Sequence, residues 1–389
     1  MIVLDKNKLE NAVLIDEASS LKEAGFIAKE QFDFIKKELP SFNSHKNILV
    51  RLGFFLLGSF LYLSMCGAVS LLGISGSEAI WKVFPFLFLI IGVVGSEILA
   101  QKEYHHHGLD DAFIFGVQLN VALAIGVLSE GENIISILII VTITCLITYL
   151  RYVHLLSVLV FYLMLTATLG YTLFHFLEYG QAILPFFMML YSIATYFYSK
   201  KMLKNLIEPF YFDGLVLIKN LSLVLLYCAG NYLVVREISA ILSDTYFPVN
   251  PEIPFAIFFW IFTFTIPLLY LYFGLKNKDR IMLWISFLTI AFSFFTFRFY
   301  FSVLPIEVAL TLGGLILFGI AYFSIKKLKE KESGLTFKPD RINHSNALLN
   351  AEFLITASAF GMKPEVKPAD SPMEFGGGGF SGGGSGESF

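Results

Sequence analysis

Charge is what this sequence has least of. Only 15% of its 389 residues are Asp, Glu, Lys or Arg, where a soluble domain uses about a quarter, while 56% are apolar and 42 are phenylalanine. That balance excludes an ordinary soluble chain and indicates a membrane protein. The net charge of −3 and the absence of a basic tract give phosphates nothing to meet, so nucleic acid is excluded as a partner. Cysteine is nearly absent too. Cys66, Cys145 and Cys228 sit in apolar runs at unrelated spacings, which fits buried thiols and neither a disulfide framework nor a zinc pattern. The opening "MIVLDKNKLENAVLIDEASS" lacks the basic, apolar and small-residue order of a secretory signal, so insertion is expected to rest on later segments. HExxH, GxSxG, a P-loop and a helix-opening GxGxxG are all missing. So are an intramembrane aspartate pair and a serine and histidine suitably placed in neighbouring spans. No residue set nominates a reaction or a cofactor, and an enzyme is the less favoured reading. His154 and His175 fall at opposite ends of one span and cannot act together.

What is present is long apolar runs. About 20 such residues cross a hydrocarbon core as helix, with every amide satisfied inside the segment. Ten runs meet that length, near 48–73, 83–101, 112–128, 133–150, 155–177, 182–199, 214–235, 254–275, 281–301 and 304–325. The third is the shortest and most polar and reads as a misjudged boundary. The fold class expected is all-α, a polytopic transmembrane bundle of about ten spans. Lysine and arginine alternate between the connections: Lys102, Arg151, Lys200, Lys201, Lys204, Lys276, Lys278 and Arg280 on one side, only Lys82 and Arg236 on the other. Cytoplasmic loops keep the excess, so both termini are expected in the cytoplasm, with the lipid bilayer as the obligatory partner.

Four regions follow: a cytoplasmic helical segment (1–46), the bundle (47–327), a linker with a possible amphipathic segment (328–360) and a disordered glycine-rich tail (361–389). Within the first, residues 18–42 read as a helical hairpin, with Ser20 and Glu23 as a capping box, a break at Gly25 and a stop at Pro40. Phe32, Ile35 and Leu39 form one apolar stripe expected to dock on the protein's own bundle or the bilayer. The tail "FGGGGFSGGGSGESF" cannot pack a core; Phe375, Phe380 and Phe389 are its apolar stickers and candidate contacts for a cytoplasmic protein.

Polar side chains inside spans are costly and are default functional candidates. Gln118 and Asn120 lie deep in the third span and must face protein or water. Arg298 and Glu307 flank the last turn between spans and are expected at one depth, as an ion pair or as an interfacial arginine and a helix-capping glutamate. Glu97 and Lys219 are shallow enough to snorkel. In the loop "QKEYHHHGLDDAF", His105, His106 and His107 are weak metal candidates, because adjacent histidines point apart. A solvated turn whose Asp110 caps the next helix is the preferred reading.

The stretches "LKEAGFIAKEQFDFIKKEL", "RLGFFLLGSFLYLSMCGA" and "RFYFSVLPIEVALTLGGLILFGIAYFSIKKLKEK" give the chain a resemblance to uncharacterised bacterial polytopic membrane proteins of unknown function. The resemblance spans nearly the whole chain and implies an inner-membrane location, with no activity or site residue attached. Two functions are carried forward. The first is a non-enzymatic protein that recruits a partner through its cytoplasmic ends. The alternative is a transporter or channel for a small solute, using Gln118, Asn120, Arg298 and Glu307. Oligomeric state is not encoded in any feature read here.

Overall fold

A computed structural model of the chain describes residues 2–301 except 24–25, 46, 74–77, 177–179 and 243–252, with isolated positions between 308 and 326. The tenth expected span, apart from those isolated positions, lies outside the described residues. So do Glu307, segment 346–360 and the whole tail with Phe375, Phe380 and Phe389.

The protein is an all-helical polytopic bundle. Among the described residues nine helices are long and apolar enough to cross a membrane, and the only strand-like pairing is one isolated bridge, between Asn43 and Tyr104. Two helices precede the membrane, α1 (Lys6–Glu23) and α2 (Lys29–Glu38). The hairpin is therefore real but starts at Lys6, well before residue 18 where the sequence pattern placed it. Asp5 accepts a bond from Asn7 N, as an N-cap does, whereas Ser20 turns its hydroxyl back onto Asp16 O and caps nothing. The capping role passes to the next turn, where the Gln31 side chain accepts from Ala28 N. Phe32, Ile35 and Leu39 are half-buried, and Lys22 lies over the Phe32 ring.

The first spans are α3 (Ile48–Ser70), the short α4 (Glu78–Trp81), α5 (Phe84–Gln101) and α6 (Leu109–Leu128). Next come α7 (Ile134–Tyr152), α8 (Leu155–Phe176) and α9 (Gly180–Lys204), then α10 (Phe212–Gly230), α11 (Tyr232–Leu242), α12 (Ala256–Asn277) and α13 (Arg280–Tyr300). Side chains supply several caps: Asn47 accepts from Leu49 N, Asn133 from Ser136 N and Asp279 from Met282 N.

The third span is no boundary error. α6 is a full 20-residue helix packed against α3, α5 and α7, and 56% of its most apolar stretch is buried, against 17% to 33% for the other eight spans. Its polarity follows from that position, since a helix screened from lipid can carry amides and carboxylates. Close approach depends on Gly116, where a Cβ would stand 2.8 Å from the Tyr62 ring. The seventh span also differs from expectation. It ends at Gly230, and a fully buried Asn231 in extended conformation separates it from α11. Asn231 donates to Tyr227 and Thr296 and accepts from Val234 N, so one side chain both ends α10 and caps α11.

The amino-terminal arm is fastened to the end of the bundle that bears the basic loops. Leu4, Leu9 and Phe42 share a buried cluster with Ala100, Ile114, Tyr152 and Phe210. Val3 N donates to Arg151 O, Asn43 N to Glu103 O and His45 N to His106 O. Lys6 pairs with Glu208 and Lys8 with Glu103.

Candidate functional site

The densest cluster of buried polar side chains lies where α6 begins. Gly108, with φ +106°, precedes the helix and tucks against α3, where a Cβ would fall 2.3 Å from Arg51 O. That tight crossing sets Arg51 opposite the first turn of α6. Its Nε and Nη2 reach Asp111 Oδ2 and Oδ1 at 2.5 and 2.9 Å, a bidentate pair. Between α7 and α8 there are only two residues, Val153 in left-handed conformation and His154. This short connection directs the imidazole into the bundle, 3% exposed, with Nε2 3.0 Å from Asp111 Oδ1 at an angle bent from linear.

From His154 the contacts continue inward. His154 Nδ1 is 2.8 Å from Ser157 Oγ, which is fully buried. Gln118 Nε2 donates to Ser157 Oγ at 2.6 Å and to Thr148 Oγ1 at 3.0 Å. Because Ser157 Oγ accepts from the Gln118 amide, its own proton points to His154 Nδ1, leaving the ring proton on Nε2 beside Asp111. The result is one directional string, Gln118 to Ser157 to His154 to Asp111. Gln118 follows Leu109 by nine residues, about 14 Å at 1.5 Å each, so the string reaches roughly halfway through a core of about 30 Å. Among the described residues Gln118 Oε1 is buried without a hydrogen-bond partner, as are the hydroxyls of Tyr162 and Tyr191.

The histidine loop is not solvated, contrary to expectation. His105 and His107 are 8% and 7% exposed, and Asp110 6%. Asp110 Oδ1 accepts from the backbone N of His107 and Gly108, so it braces the loop and does not cap the helix as the sequence suggested. The burial comes from the arm: Phe42 packs edge-on to His105, and His45 lies with its Nε2 3.2 Å from that of His107. Burial pushes His105 down to about 4, with the neighbouring His154 reinforcing the shift, and also lowers His106 and His107. Among the described residues no three His, Cys, Asp or Glu side chains are placed to hold a metal.

Beside the string is a cavity with about 10 Å³ of water-accessible space, lined by Leu4, Ser96, His105, Asp110, Tyr152 and His154 among others. Glu97 does not snorkel. It takes a bidentate pair from Arg151, at 2.6 and 2.9 Å, and a bond from Tyr152 Oη. Lys219 likewise reaches Asp279, at 3.0 Å.

Of the residues singled out from sequence, Gln118 belongs to the string. Asn120 takes another face of α6, donating to Tyr62 Oη and Gly116 O. Arg298 is half-buried in the last turn of α13, in a different part of the bundle, and Glu307 lies outside the described residues. Sequence reasoning missed Arg51, Asp111, His154 and Ser157 as a set. The available signal was the HxxS spacing at a helix start together with an acidic pair opening an adjacent span. Comparison with known protein families, curated proteins and solved structures finds no match at any of the three levels.

Proposed function

We propose that the protein is a membrane transporter that moves a small solute or ion together with protons, and that the Asp111–His154–Ser157–Gln118 string is its proton route. The supporting observation is the string itself: hydrogen bonds link Gln118, Ser157 and His154, a 3.0 Å contact joins His154 to Asp111, and the buried series runs from the basic end to near mid-bilayer. Intramembrane chains of Asp, Glu and His are what proton-coupled carriers use, and buried polar groups are otherwise too costly to collect in one place. Structural hydrogen bonds between spans average only about 0.6 kcal/mol, a small return for burying two carboxylates and an imidazole. A nucleophilic role for Ser157 is disfavoured by its burial, since the residue has no exposed surface.

The chemistry needed is proton transfer alone. A proton arriving at Ser157 Oγ lets Ser157 pass its own proton to His154 Nδ1 while Nε2 releases its proton to Asp111. Rotation of the Gln118 amide presents its carbonyl oxygen to Ser157 and completes the relay. The test is proton flux into vesicles bearing the full chain and a trapped pH dye. Wild type should acidify under an imposed gradient, and Ser157→Ala and Gln118→Leu should each lower the rate at least tenfold. Rates within twofold of wild type for both variants would remove the string from the account.

A further inference from the structure

Asp110 is the carboxylate that the string leaves over. Asp111 faces both Arg51 and the His154 ring, while Asp110 receives only two backbone N–H groups, both on Oδ1. Its Oδ2 has no hydrogen-bond partner among the described residues, and Asp110 lines the 10 Å³ cavity. His105, 8% exposed, lines the same cavity, and its ring nitrogens have no hydrogen bond among the described residues although the ring packs on Phe42 and His106. Two side chains more than nine-tenths buried thus offer unused polar atoms to one small space. The volume holds about one water molecule.

The charges around it do not balance. Arg51 is one cation against the two carboxylates Asp110 and Asp111, and the buried histidine loop adds none. The remaining ionic groups nearby cancel in pairs, Glu97 with Arg151 and Lys8 with Glu103. One positive charge would neutralise the site.

We infer that this cavity is a proton-binding site: one water molecule bridges Asp110 Oδ2 to His105 and His154, Asp110 receives the proton, and Leu4 of the amino-terminal arm closes the site from the basic end. The assignment rests on the transport reading only for what happens to the proton afterwards. A sodium ion fits the volume but not the lining, since hard cations need several oxygens and two of the facing side chains are imidazoles. Leu4 is 5% exposed and is held by the backbone bond from Val3 N to Arg151 O, so the lid is fixed to the same turn that supports His154.

Infrared difference spectra of the full-length protein in lipid nanodiscs, taken as pH falls from about 8 to 5, test the site directly. Wild type should gain a carboxylic-acid C=O band that Asp110→Asn abolishes, because Asn keeps the acceptor for His107 N and Gly108 N while losing the acid. His105→Phe, which preserves the ring contacts, should shift the band by removing the far end of the bridge. A band that survives Asp110→Asn, or one that sodium suppresses in a concentration-dependent way, overturns the assignment. If Asp110→Asn does not fold, an unshifted band in His105→Phe overturns it instead. Vesicle flux separates the two claims: an Asp110-dependent band without any flux leaves the site standing and removes the transport reading, and flux without that band does the reverse.

Discussion

At the scale of single residues, the histidine loop shows how burial sets protonation. His105 titrates near 6.5 when exposed and is pushed down to about 4 in the fold. Between those values the unfolded chain binds a proton that the native state refuses, so stability rises with pH across the window and is lost as pH falls through it. His106 and His107 shift in the same direction and add to the effect. The midpoint of thermal unfolding should therefore drop steadily as pH is lowered from about 6.5 toward 4, and His105→Phe should flatten that slope. A midpoint independent of pH over this range would mean that the loop is hydrated. The histidines themselves stood out in the sequence, but their burial did not. It is produced by Phe42 and His45, some sixty residues away, and no local pattern records that the arm returns to cover the loop.

At the scale of elements, apolar run length identified the lipid-facing helices well and the central one worst. A helix in contact with lipid must be apolar all round, whereas α6, shielded by three neighbours, exchanges apolar residues for Asp110, Asp111, Gln118 and Asn120. The polarity that made it look like a marginal span is the trace of its central place. The break at Asn231 was hidden for the opposite reason: the apolar residues of α11 continue the run, and only the side-chain bonds of Asn231 reveal that the helix stops. Packing around α6 is tight enough to be tested at one position. Gly116→Val sets methyl groups against the Tyr62 ring and should displace the Tyr62–Asn120 hydrogen bond. Overpacking of this kind costs about 1–3 kcal/mol, read as a lowered thermal midpoint in detergent; an unchanged midpoint would show that α3 and α6 can separate freely.

At the scale of the whole molecule, the arm, the histidine loop, both ion pairs to Arg51 and Arg151, and the proton string all gather at one end of the bundle, the end carrying most of the basic loops. The charge bias that suggested an orientation thus also marks where the polar architecture collects, and a single observation tests the side on which it faces. A cysteine introduced at Lys201 in a background lacking Cys228 should react with a membrane-impermeant maleimide only after the cytoplasmic face is opened, and one at Glu130 should react on intact cells. The reverse pattern would invert the assignment. Ion pairing at this end also explains why so few of its charges were readable as functional: Glu97, Lys8 and Lys219 find their partners, Arg151, Glu103 and Asp279, between 54 and 95 residues away in the sequence.

The connection between α7 and α8 gives this end a mechanical property. With Val153 and His154 as the only residues between two spans, no slack exists to absorb a change in the angle between them. Any rocking of one helix against the other turns the imidazole and alters its bent contact with Asp111, so the ring works as a strain gauge for the bundle. The proton's address and the tilt of the helices are then readings of a single coordinate.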